Sequence, residues 1–306
     1  QPHTIGLADI QLVPISAGLT EFFRAKAQSM PRRSKLQRDD LAVEVDWKKR
    51  VFAIQDGRTG RIWRSQPVSN WLQPYQVRQN DDQTLVVEIY DRFAESSVVA
   101  EVTMLADHGV RFSITPENAE SPIAGARGFP PQFRSDIQHG QFVFCDRSCG
   151  VLLDTRDPAY AGWPLRVYGN THCLDMPWVG LFDHARGDGM MLLVDTPADA
   201  EVAFDAADDG RHWPQVHWLP SMDQIAYPRT ATLRFSDQGG YVELAGKYRR
   251  YLESAGRLKT LRGKALEKPR VELLRGAPPM WGDHHLVDFI QRMRPLGLRR
   301  GLDNNC

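Results

Sequence analysis

Short runs of apolar residues with a period of two dominate this chain from residue 41 to about residue 235, and then the period changes. Leu41, Val43, Val45 and Trp47 alternate with Ala42, Glu44 and Asp46. A period of two sends alternate side chains to opposite faces of a strand, so each run is a half-buried β-strand. A second apolar run at 51–54 and the pair Ile62, Trp63 flank Asp56-Gly57-Arg58-Thr59-Gly60, which reads as a hairpin around a glycine-bearing turn. Residues 85–90, 97–105 and 110–114 are rich in Val, Ile and Thr, and Ala106-Asp107-His108-Gly109 is a turn by composition. Adjacent antiparallel strands need only such short links.

Residues 1–40 read as irregular, with an apolar stretch at 10–15 and a basic patch at Arg32, Arg33 and Lys35. Residues 116–140 hold several Pro and Gly and read as a long surface excursion. Further strands are expected at 143–144, 151–153, 165–168, 179–182, 190–194, 200–204 and 230–235. More than ten short strands with turn signals between them, and no βαβ alternation before residue 240, call for a large two-sheet antiparallel sandwich.

At Tyr241 the pattern switches. Tyr241, Leu244, Ala245, Tyr248, Tyr251 and Leu252 lie on one face of an α-helix. Gly256 falls where a left-handed cap residue is expected, and Arg249 and Arg250 suit the helix C-terminus. Residues 258–269 are basic and read as helix or linker. Residues 271–274 read as a strand running into the loop at Gly276-Ala277-Pro278-Pro279, 286–296 as an amphipathic helix, and 297–303 as another short strand, which together make one βαβ unit. The expected domains are a sandwich over 1–240, a helical linker over 241–270, and the start of a (β/α)8 barrel over 271–306.

Composition excludes some classes. Lys+Arg and Asp+Glu are both 38, a formal net charge of zero, whereas a nucleic-acid binder normally shows a basic face. No segment approaches the length of apolar residues that spans a membrane. The chain opens on Gln1, which fits a processed protein, and no signal peptide is visible in it. Cys145, Cys149 and Cys173 with Cys306 do not have zinc-site spacing. A Cys145–Cys149 or Cys149–Cys173 disulfide and free thiols are both open. No G-x-S-x-G, Walker A or dinucleotide fingerprint is present, and neither cofactor nor metal is expected.

Several stretches resemble, in order and spacing, one group of bacterial glycosidases. They are Val43-Glu44-Val45-Asp46-Trp47 through Asp56-Gly57-Arg58-Thr59-Gly60-Arg61-Ile62-Trp63-Arg64-Ser65, then Arg166-Val167-Tyr168-Gly169-Asn170, then Met176-Pro177-Trp178-Val179-Gly180-Leu181. Asp199-Ala200-Glu201-Val202, Tyr248-Arg249-Arg250-Tyr251-Leu252 and Leu273-Leu274-Arg275-Gly276-Ala277 complete the series. Together, over most of residues 41–281, they resemble the N-terminal supersandwich of the α-N-acetylgalactosaminidase and endo-α-N-acetylgalactosaminidase group. The resemblance implies a galactose-mutarotase-like supersandwich, a helix, and the first βαβ unit of a truncated (β/α)8 barrel. It also implies a secreted or periplasmic location and retaining hydrolysis of α-linked N-acetylgalactosamine or a related hexose. A barrel needs roughly 200–250 residues or more, so the catalytic carboxylates are expected beyond Cys306. Carbohydrate, and the remainder of the barrel, are the expected partners.

Barrel active sites form at the C-terminal ends of strands. Trp281, Asp283 and His284 follow the first expected barrel strand, and Asp303 and Asn305 close the second, so these are candidate sugar contacts. Asp283 as a helix N-cap and Asp303 as a turn residue are the structural alternatives. His284-His285 are adjacent, and neighbours on a helix do not face one another. Asn170, His172 and Trp178, with Tyr168 and Asp175, form a loop of amide, imidazole and aromatic groups suited to a sugar. The alternative puts Trp178 in the core. His212, Trp213, His217 and Trp218 form a second aromatic patch with the same two readings. Two further functions stay open. One is a non-catalytic carbohydrate-binding sandwich. The other is a free-standing sandwich enzyme, an epimerase or polysaccharide lyase, which needs a His/Glu or Tyr/His set on one sheet.

Overall fold

Alternation from residue 41 becomes β2 of a five-stranded antiparallel sheet. Leu41, Val43 and Val45 are fully buried, and Ala42, Glu44 and Asp46 face outward. The computed structural model describes residues 17–122, 125–146, 149–161, 164–167, 173–275, 279–280, 286–297 and 302–303. The small sheet is formed by β1 (Arg33–Arg38), β2 (Leu41–Asp46), β3 (Val51–Asp56), β4 (Arg61–Ser65) and β9 (Phe133–Arg134), in the order β1-β2-β3-β4-β9.

The large sheet has 13 strands. These are β5 (Leu72–Asp81), β6 (Thr84–Asp91), β7 (Ser96–Leu105), β8 (Gly109–Pro116), β10 (Gly140–Asp146), β11 (Cys149–Asp154) and β12 (Leu165–Val167), followed by β13 (Cys173–Leu174), β14 (Trp178–Asp183), β15 (Gly189–Val194), β16 (Ala200–Ala206), β17 (His212–Trp218) and β18 (Arg229–Ser236). Their order is β17-β16-β12-β13-β10-β14-β15-β18-β8-β7-β6-β5, with β11 also on β10. Every pairing is antiparallel except β12 with β13. The sheets share one core. Trp63 of β4 meets Phe235 of β18 at 6.1 Å, and Phe52 of β3 meets Phe112 of β8 edge-on at 5.8 Å. Each such buried side chain contributes about 1.5–3 kcal/mol relative to exposure.

The fold is thus mostly β with two antiparallel sheets, as the periodicity required. Three local expectations are corrected. Residues 17–40 are not irregular: α1 (Ala17–Ala27) precedes β1. Its Phe23 stacks on Tyr90 at 4.1 Å, so a tertiary contact anchors a segment with little pattern of its own. The stretch 116–140 is not a surface excursion. Ala126, Phe129, Phe133 and Ile137 are buried, and the carbonyls of Gly128, Phe129 and Pro130 accept bonds from Gln215 and Trp218 of edge strand β17. Covering an edge in this way satisfies groups that would otherwise be left unpaired. Residues 271–274 are not a strand but belong to a 3-10 helix, Pro269–Leu274. Strand β5 carried no clear signal, because Pro74 interrupts it and its second half is polar and exposed.

Contacts divide the chain into Gln1–Tyr248 and Arg249–Cys306. In sequence, α2 (Gly240–Ser254) spans that boundary. Its Leu244 and Tyr248 are buried, with Tyr248 stacked on Trp178 at 5.6 Å. Gly256, at φ +64°, follows it, and the amide of Arg257 bonds back to the Leu252 carbonyl, the expected left-handed stop. The second unit holds α3 (Leu261–Glu267), capped by the Thr260 hydroxyl. It also holds β19 (Pro279–Met280), α4 (Leu286–Met293) and β20 (Leu302–Asp303). The two strands pair in parallel, Pro279 with Leu302 and Met280 with Asp303, and a parallel pair needs a crossover such as α4.

Candidate functional site

Of the residues singled out from sequence, Asn170, His172, Trp281, Asp283, His284 and Asn305 lie outside the described residues. Asp303 closes β20. Trp178 opens β14, not a loop, and is 4% exposed, with Tyr248 stacked on its ring. Its neighbour Asp175 sits between two thiols, Cys145 Sγ at 3.8 Å and Cys173 Sγ at 3.5 Å. Cys145, Cys149 and Cys173 are not joined to one another by disulfides. Burial pushes the Cys145 thiol up, and the Asp175 charge adds to it.

A polar row on the large sheet joins residues that the sequence placed in three separate stretches. Glu201 of β16 is paired across the ladder with Arg166 of β12 on one side and His217 of β17 on the other. Their flanking neighbours Leu165, Val202, Val216 and Trp218 point into the core, so the row lies on the opposite face. Arg127, from the 3-10 turn Gly125–Gly128, reaches over it and donates to Glu201 Oε1 at 2.9 Å. His217 Nδ1 stands 3.7 Å from the same oxygen. The His217 imidazole holds the Glu201 carboxyl below its ordinary range; burial opposes this, and the Arg127 guanidinium reinforces it. A general base working near neutrality needs the reverse shift. This glutamate is an ion-paired anchor on the polar face of the sheet.

Two carboxylates also meet in the interior. Arg61, on the residue after the Thr59-Gly60 turn, is 3% exposed and inserts into the β14–β15 turn. Its Nη2 donates to Asp183 Oδ2 at 3.0 Å and Asp188 Oδ1 at 2.9 Å, and its Nη1 donates to Asp136 at 2.9 Å. Asp183 and Asp188 are 5% and 2% exposed. Arg61 pairs with both, Arg186 adds a second pair to Asp188 at 3.5 Å, and both carboxylates are buried, so they are not placed to act as a nucleophile and acid pair. A second buried arginine, Arg229, holds the carbonyls of Ala198 and Leu219 and the Ser221 hydroxyl, and lies 3.7 Å over the Tyr227 ring. Arg61 lies in the hairpin that carried the family resemblance, whereas for Arg229 the one signal is its place on a strand face that should be apolar.

No protein-family model matches the chain, and no curated protein matches its sequence. Among solved structures it is similar to the α-N-acetylgalactosaminidase NagBb of Bifidobacterium bifidum. Against the Gal-NHAc-DNJ complex the TM-score is 0.65 at 16% identity, covering 81% of this chain and 43% of that one. Against the GalNAc complex it is 0.65 at 17% identity, covering 86% and 49%. This chain therefore spans less than half the length of that enzyme. At such identity the likeness is one of fold.

Proposed function

We propose that this chain is the sandwich part of a secreted or periplasmic glycoside hydrolase acting on α-linked N-acetylgalactosamine or a related hexose. In this reading the two carboxylates of a retaining mechanism are supplied from outside the sandwich. The observation that carries the reading is the superposition on NagBb over 81% of the chain. Two features support it. Asp183 and Asp188 inside the sandwich, and Glu201 on the face turned away from its core, are buried and paired with arginine, whereas retaining hydrolysis needs an accessible pair about 5 Å apart. The sandwich is also followed by a parallel strand pair joined through a helix, the repeating unit of a (β/α)8 barrel. The register Met280 with Asp303 brings the C-terminal ends of that pair level. Trp281, Asp283 and His284 follow one end in sequence, and Asn305 follows the other, so these are the proposed sugar contacts.

The test is hydrolysis of 4-nitrophenyl α-N-acetylgalactosaminide, with the anomer first formed read by proton NMR. The complete product of the gene is expected to release nitrophenol with retention, and residues 1–306 alone to release none. Release by residues 1–306 alone overturns the assignment of the carboxylates. Absence of release from any α-hexosaminide by the complete product overturns the hydrolase reading.

A further inference from the structure

At one end of the small sheet, two basic stretches separated in sequence converge in space. The amide of Trp47 bonds to the Arg32 carbonyl at 3.1 Å, and Arg33 pairs with Asp46 across the β1–β2 ladder. This brings Arg32 beside the β2–β3 turn, Trp47-Lys48-Lys49-Arg50. Between this turn, the end of α1 and the start of β5 lies a cavity of about 540 Å³, lined by Arg32, Trp47, Lys48, Arg50 and Gln73 among others, with no carboxylate in its wall. That volume is within the usual range for small-molecule sites.

The nearest acid, Asp46, is already engaged by the Lys49 amide at 2.9 Å and by Arg33 at 3.9 Å. Arg32 and Lys48 are exposed and form no ion pair among the described residues. Arg50 is held in place, at φ +56°, by donating to the Ser69 carbonyl at 3.4 Å and to Asn70 Oδ1. Trp47 is half-buried and fixed by its indole bond to the Ser34 hydroxyl at 2.8 Å and by edge contact with Phe52 at 6.2 Å. Lys26, from α1, lies over the Phe22 and Tyr75 rings nearby and adds no compensating charge.

Asp46 is the acid that acts on this group, through Arg33, Lys49 and Arg32, and cations gathered around a fixed aromatic wall in a chain of zero net charge favour an anion there. We propose that this cavity binds an acidic saccharide, one bearing a sulfate or carboxylate. Arg32, Lys48 and Arg50 would take the anionic group, and Trp47 would take the apolar face of the ring. Arginine pairs such groups through two parallel N–H bonds. The choice of a saccharide as the carrier of the anion rests on the proposed function. An open hollow with one aromatic side chain in its wall, in place of an extended basic stripe with several stacking rings, disfavours nucleic acid.

The test is calorimetric titration with a chondroitin 6-sulfate tetrasaccharide, a neutral N-acetylgalactosamine disaccharide and a single-stranded oligonucleotide. The sulfated probe is expected to bind, more weakly as salt is raised, and the neutral one not to bind. Both substituted side chains in Arg32→Glu/Lys48→Glu are exposed, so that variant should keep its unfolding midpoint and lose at least about tenfold in affinity, as the removal of charge-assisted bonds requires. Equal binding of the neutral probe, equal or tighter binding of the oligonucleotide, or unchanged affinity in the variant overturns the proposal. Hydrolysis is a separate readout, so a complete gene product that releases nothing from any α-hexosaminide, yet binds the sulfated probe and loses it in the variant, supports the pocket while overturning the hydrolase reading.

Discussion

Arg61 and Asp188 meet side-on in the seam where the small sheet joins the large one, with Nε to Oδ2 at 2.5 Å and Nη2 to Oδ1 at 2.9 Å. The arginine belongs to the hairpin whose sequence carried the family resemblance, and the aspartate to the Gly187-Asp188-Gly189 turn. The contact therefore ties two turns that lie 127 residues apart.

Removing this cation leaves Asp183 with only the backbone amides of Ala185 and Arg186, and Asp188 with only the Arg186 guanidinium at 3.5 Å. Arg61→Ala is expected to lower stability by about 3–5 kcal/mol, the usual cost of breaking a buried pair from one side. Arg61→Lys keeps the charge but not the two-pronged geometry, so it should fall between the parent and Arg61→Ala. Urea unfolding of the three proteins checks the order. A loss under about 1 kcal/mol for Arg61→Ala, in the range of an exposed pair, would count against the seam as described.

Glu201 makes the stability of the sandwich depend on acid. Its folded-state carboxyl titrates below the ordinary glutamate value of 4.5. The ionised form therefore adds stability above that pH, and the contribution is lost as pH falls through the folded-state value. Glu201→Gln should be less stable than the parent near neutrality and should lose less on acidification from about pH 5 to about pH 3. Thermal melts across that range measure the difference. Parallel curves for the two proteins would contradict the linkage.

Two glycines separate yielding from unyielding neighbours. A Cβ on Gly189 would lie 2.5 Å from the Leu181 carbonyl oxygen and 2.8 Å from Phe182 Cα, both backbone. On Gly180 it would meet side chains, Val143 at 2.6 Å and Leu244 of α2 at 2.9 Å. Overpacking of side chains costs about 1–3 kcal/mol. Gly180→Ala should fall in that range, and Gly189→Ala should cost more, because the ladder between β14 and β15 must part. Unfolding midpoints of the two variants decide the ranking.

The described cysteines should react in a fixed order. Cys149 is exposed, whereas Cys145 is partly buried with its thiol pushed up by burial and by Asp175. Only the thiolate is nucleophilic. Iodoacetamide at mildly alkaline pH should modify Cys149 well before Cys145, and Asp175→Asn should narrow the gap. Peptide mass spectrometry over a time course reads both.

Much of the architecture is legible in one dimension. Alternation at Leu41, Val43 and Val45 specifies which face of β2 is buried, and the 3.6-residue spacing of Leu244 and Tyr248 specifies which face of α2 packs. Turn chemistry and the left-handed position of Gly256 are equally local. Periodicity of this kind arises between neighbours in sequence, so the sequence reports it directly.

What only the tertiary structure decided is where polar and weakly patterned residues go. Arg61 sits in the interior because carboxylates far away in sequence satisfy it, and Arg229 because Tyr227, Ser221 and the carbonyls of Ala198 and Leu219 do. The segment 125–134 enters the core because it covers the β17 edge. Arg166, Glu201 and His217 form one row because three strands happen to be laid side by side. Such pairings depend on strand order and register, which are set by contacts across the whole core. The sequence by itself determined a β-sandwich followed by a helix; the tertiary structure alone decided where the first strand of the parallel pair lies and which of its buried charges are struts.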